Sequence, residues 1–98
     1  MLPVSGATIE RQAVRIAGAL AELGQQTLTL TTEQGARELL VRETNLPALI
    51  VDAAKTGNGV LRAPAIGTEF RLTGTGVFWE CRDASHEAGL AALLSSKG

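Results

Sequence analysis

The chain is short of nearly everything that would announce a chemistry. Of its 98 residues one is cysteine and one is histidine, and aromatics make up 3%. Cys81 alone excludes an intrachain disulfide, and no cluster of ligand-type residues suggests a structural metal, so the usual staples of a small domain are missing. The nine basic and ten acidic residues are dispersed and give a formal net charge of −1. This excludes the basic stripe by which nucleic-acid binders neutralise phosphates. No apolar run approaches the roughly 20 residues needed to span a bilayer. The opening MLPVSGATIERQ lacks the basic start and apolar run of a secretory signal. A lone cysteine without disulfide spacing suits a reducing compartment. The expected class is a soluble, intracellular, globular protein.

What the chain does have is aliphatic bulk. Hydrophobic residues amount to 45%, so aliphatic side chains must fill the core. The length suits a single domain, 1–98. A domain of this size buries only about 60–65% of the surface its unfolded chain exposes, which favours burying a further face against another subunit.

The hydrophobic period then divides the chain. Ile9, Ala13, Ile16, Leu20 and Leu23 recur at spacings of four and three and predict a helix over 8–24, capped by Ser5 or Thr8 and closed at Gly24. From Thr27 to Thr31 the period becomes two, in β-branched residues, which predicts a half-buried strand. Glu33-Gln34-Gly35 turns the chain into a second strand over 36–43. Asn45-Leu46-Pro47 breaks it, because the residue before proline favours extended geometry, and Ala48–Val51 reads as a short apolar strand. Lys55, Thr56, Gly57, Asn58 and Gly59 read as a loop tip. Val60–Ile66, interrupted by Pro64, is an edge strand at most. Two alternating runs then flank Thr73-Gly74-Thr75-Gly76. Phe70 and Leu72 share a face before the turn, as Val77, Trp79 and Cys81 do after it, which describes a hairpin. The tail, 84–98, is compatible with either strand or helix. These elements predict an α+β fold, mainly β, in which an N-terminal helix packs on a small antiparallel barrel or sandwich built from 27–82.

None of the residues suited to chemistry assembles into a motif. A dinucleotide loop needs G-x-G-x-x-G between a strand and a helix. Gly74 and Gly76 are followed instead by VFWECR, so they read as turn glycines, and Gly57-Asn58-Gly59 lacks the lysine of a phosphate loop. Cys81 shares the Trp79 face and reads as a small buried hydrophobe rather than a nucleophile. His86 beside Glu87 falls short of a metal site and reads as a solvated loop residue. Glu69 and Glu80 face each other across the hairpin with Arg71 and Arg82 nearby, which reads as surface ion pairing rather than an acid and a base. Trp79 reads as the core anchor. No catalytic residue, cofactor or metal is expected.

The order of elements, with TLTLTTEQGARELLV at 27–41, PALIVD at 47–52 and GTEFRLTGTGVFWECRD at 67–83, resembles the head–tail joining proteins of lambda-like long-tailed bacteriophages. The resemblance implies a structural virion protein made in the host cytoplasm and placed at the virion neck. It would form a homo-oligomeric ring of about six or twelve copies, set between a portal or adaptor protein and a tail terminator or tail protein. DNA would pass through without sequence-specific binding, and no membrane would be involved. Contacts are expected at the loop Lys55–Gly59, whose deletion should spare the fold but reduce joining, and also at the termini and along exposed strand edges. Two other functions fit the residues: a non-viral α+β adaptor module, and a small ligand-binding protein or enzyme using the region of Trp79 and Glu80.

Overall fold

The computed structural model describes residues 1–95. Thr8, in extended geometry, caps the first helix by accepting the Arg11 N–H at 3.2 Å. Helix α1 (Ile9–Glu22) buries Ala13, Ile16, Ala19 and Leu20, the stripe expected from the spacing. The 27–31 alternation forms β2 (Thr27–Thr32), and its partner β3 covers Gly35–Leu40. The opening stretch supplies a two-residue strand, β1 (Leu2–Pro3).

Here the first expectation fails. The segment 47–52, expected as a strand, lies inside helix α2 (Leu46–Thr56). The bias of a residue before proline is overridden because Pro47 falls in the first turn, where its missing N–H has no helical partner to lose. Leu46, Ile50 and Ala53–Ala54 then recur at helical spacing and are buried. Lys55 and Thr56 are consequently the last residues of a helix rather than a loop tip. Gly57 stops that helix in the left-handed conformation (φ 86°), and Gly59 begins β4 (Gly59–Ala63). A Cβ on Gly59 would meet the Leu72 Cδ1 at 3.1 Å and the Ala53 Cβ at 3.2 Å, so this glycine lets α2 lie close on the sheet.

β4 is also not an edge. It pairs with β2 on one side and β5 (Thr68–Thr73) on the other. Pro64 causes no conflict, since the strand ends at Ala63 and Pro64–Ile66 forms a separate 3-10 turn. β6 (Gly76–Cys81) pairs back on β5 with Thr73 opposite Gly76, so Gly74 and Thr75 are the two turn residues of the expected hairpin. The Thr73 hydroxyl fastens this turn, accepting the Gly76 N–H at 3.1 Å and donating to the Gly76 carbonyl at 2.6 Å. Of the tail, 84–94 is helix α3 (Ala84–Leu94), and residues 96–98 lie outside the described residues.

The result is an α+β fold with α1 packed on an antiparallel sheet, as the periodicities predict. The sheet is open, in the order β1-β6-β5-β4-β2-β3, so the sandwich alternative holds and the barrel does not. The register makes one buried row across four strands, Leu30 beside Leu61, then Phe70, then Trp79. Helices α1, α2 and α3 cover this face, α2 over β4 and β5, α1 and α3 over β6. Gln12 ties the N-terminal segment to the sheet, donating to the Gly6 carbonyl and accepting the Val77 N–H, each at 3.0 Å.

Candidate interaction surface

The alternation that fills the core leaves a second face without a helical layer. One row on it crosses all six strands: Ala36, Thr31, Val60, Arg71, Phe78 and Pro3 lie side by side. A second runs Glu38, Thr29, Arg62, Glu69, Glu80. Glu69 does stand opposite Glu80, and the cation that meets it is Arg62, at 3.7 Å, rather than Arg71. Arg71 is opposite Phe78. Exposed pairs of this kind are worth about 0–1 kcal/mol. Threonine, one aromatic ring and charges of both signs give a mixed surface.

The two edges of the sheet differ. β1 covers the β6 edge with two residues, one of them Pro3, and the chain continues into a Val4 N–H bond to the Val77 carbonyl at 2.8 Å. Among the described residues no strand lies beyond β3, and Gly35, Ala36, Arg37 and Glu38 are exposed. On the helical side, α2 stops short of this edge. A cleft of about 260 Å³ remains between α2 and the β2–β3 hairpin, with Leu30, Leu49 and Ala53 as apolar lining and Arg37, Asp52 and Thr56 among the polar residues.

The residues singled out in the sequence take up different positions. Lys55 reaches Glu10 at 4.0 Å, an exposed contact between α2 and α1, and Asn58 donates to the Glu33 carboxylate at 2.9 Å. The segment 55–59 therefore packs between helix and hairpin. Gly74 and Gly76 are at the hairpin tip, remote from any strand-to-helix junction. Trp79 is 1% exposed, which makes it the core anchor, although its indole N–H finds no acceptor among the described residues. Cys81 is half-buried, with its thiol against the carbonyls of Ile66 (3.3 Å) and Asp83 (3.2 Å).

His86 is not a loop residue. It sits in the first turn of α3, with Nδ1 2.7 Å from the Asp83 carboxylate. Asp83 is the cap of that helix and also accepts the Ser85 N–H at 3.0 Å and the Ser85 hydroxyl at 2.6 Å. The Ser85 side chain first, then His86, then the Ser85 N–H hold the Asp83 carboxyl below its ordinary range. All three donors favour the charged form, so the cluster works as a helix cap. Among the described residues, no three His, Cys, Asp or Glu form a group suited to a metal ion, and no helix is long and apolar enough to cross a membrane.

Sequence reasoning missed the open β3 edge, because pairing order is set by tertiary contacts. It also missed Asp83, although the signal was present: aspartate directly before Ala84-Ser85-His86-Glu87 is a recognised helix start.

No family model matches the chain, and no solved structure matches it. Over 71 residues it is 41% identical to a 2-C-methyl-D-erythritol 4-phosphate cytidylyltransferase of Rhodopirellula baltica. The match takes in 72% of this chain and 29% of that protein, so the chain spans under a third of the length of the relative it is similar to.

Proposed function

We propose that the chain is a non-catalytic assembly module, which other proteins hold along the open parts of its sheet. The observation that carries this reading is the asymmetry of the sheet. One edge is finished by a proline-containing strand, while the other is exposed beside a face without helices. Unpaired strand edges invite added strands, which is why proteins that do not use them usually blunt them.

The specific form is the one implied by the resemblance: a ring at the neck of a long-tailed phage, touching copies of itself, a portal-side protein and a tail protein. Support comes from 27–41 and 67–83, whose core is in each case a hairpin. The segment 47–52 gives none, being helical. Dispersed charge with a net of −1 suits a channel through which DNA slides without being gripped. The test is co-expression with the products of the neighbouring genes. The chain is expected to elute with portal-side and tail-end proteins, as ring-shaped particles in negative stain. A chain that stays monomeric and apart from both contradicts the reading.

One observation favours a second reading. The 41% identity to part of a cytidylyltransferase points to a piece of a nucleotide-handling enzyme. Calorimetry with magnesium and CTP decides it. Saturable binding below a millimolar supports the enzyme reading, and no heat of binding supports the module.

A further inference from the structure

We propose that β3 is the seam of this module, and that it accepts an extended strand of a different protein whose charges run opposite to its own. The proposal rests on the assembly reading above and names the partner's chemistry.

The register identifies the backbone groups involved. The Val41 N–H donates to the Gln26 carbonyl at 2.9 Å, and Gln26 and Val41 precede and follow the paired residues Thr27 and Leu40. In an antiparallel ladder the residues of one strand turn their N–H and C=O alternately toward and away from the neighbour. Continuing from Val41, Leu39, Arg37 and Gly35 turn theirs toward β2, and Leu40, Glu38 and Ala36 turn theirs outward. The outward Leu40 N–H already reaches the Glu43 carboxylate at 3.4 Å. Ala36 and Glu38 therefore offer two donors and two acceptors in line, which is the pattern an added strand reads.

The side chains weigh against the β3 of a second copy as the occupant. Two β3 strands related by a two-fold axis and centred on the exposed stretch pair with Arg37 opposite Arg37 or with Glu38 opposite Glu38, and centring on Ala36 instead sets Glu38 opposite Gln34, outside the strand in the β2–β3 turn. Like charges directly opposite one another are destabilising. A foreign antiparallel strand relieves both if it carries a base opposite Glu38 and an acid opposite Arg37. Among the described residues neither has an ion-pair partner of its own. Two positions further along, the incoming residue lies opposite Gly35, on the helical side. Nothing lies within 4 Å of the place a Cβ on Gly35 would take, and its neighbours Gln34 and Arg37 line the cleft whose apolar side is Leu30 and Leu49. A large aliphatic residue fits that place. Read from its N-terminus, the recognised segment is basic, acidic, any residue, then large and apolar.

The experiment is a nitrogen–proton NMR titration of the full chain with two capped hexapeptides, acetyl-Thr-Lys-Glu-Val-Leu-Thr-amide and its charge-swapped counterpart acetyl-Thr-Glu-Lys-Val-Leu-Thr-amide. The Lys-Glu peptide is expected to shift the Ala36 and Glu38 amides, slow their exchange with solvent, and reach half-saturation at a concentration about threefold lower or better. The double variant Arg37→Glu, Glu38→Lys changes only exposed side chains and should reverse the preference. Silent Ala36 and Glu38 amides, equal response to both peptides, or an unreversed preference overturns the proposal. Co-elution with neck proteins by a chain whose edge stays silent leaves the assembly reading standing and removes the seam. A responsive edge without co-elution does the opposite.

Discussion

At the scale of single residues, the side chains that fasten this fold are polar ones that periodicity does not reveal. Gln12 lies on the polar side of α1 by pattern, yet its amide satisfies both Gly6 and Val77, 65 residues away from the latter. Replacing it with alanine strands a partly buried N–H and a carbonyl, at a cost of about 1–3 kcal/mol. Denaturant unfolding should show an earlier midpoint with an unchanged slope. Asp83 gives a pH-dependent prediction. Its carboxyl titrates lower in the folded chain than the ordinary value of about 3.8. Its stabilising contribution is therefore complete above that value and disappears as pH falls through the lower, folded one. Asp83→Asn keeps a capping oxygen but removes the charge. Melting curves of variant and parent should differ at neutral pH and draw together as pH falls below the ordinary carboxylate range, and a difference that stays constant with falling pH would show that the charge is not the cause.

At the scale of elements, the strands were legible wherever polar and apolar residues alternate, because one face of the sheet is buried and the other is bare. Helix α1 was legible from its stripe and its caps. Helix α2 was not. It is buried enough to read as a continuous apolar run, and short apolar runs suit strand and helix equally. Its proline, taken as a breaker, is a first-turn residue. A strand at 48–51 leaves 55–59 only a loop to form, so the misread proline also misplaces that segment. The structure changes the expectation for that segment. Deleting 55–59 removes the last two residues of α2, its glycine stop and the first residue of β4, which pairs with Leu72. Loss of cooperative melting by circular dichroism is expected, where the sequence alone suggested a folded but non-joining protein. A deletion variant that melts sharply near the parent temperature would restore the loop reading.

At the scale of the molecule, the described residues place three helices on one face of a six-stranded sheet, which leaves its other face and the β3 edge to the outside. No sequence pattern could say which strand ends the sheet. β3 does so because the chain leaves it through α2 and returns on the other side of β2 as β4, and the outermost strand is thus decided by a crossover. That placement turns a strand of ordinary composition into the candidate docking site. The most direct measurement is a joining assay in which DNA-filled heads lacking this chain are mixed with tails and scored by electron microscopy. If the chain joins heads to tails as proposed, few complete particles form without the purified chain and joining is near complete with it. A loss of joining, with the fold intact, is expected for the Arg37→Glu, Glu38→Lys variant. Heads and tails that join equally well without the chain would contradict the proposal.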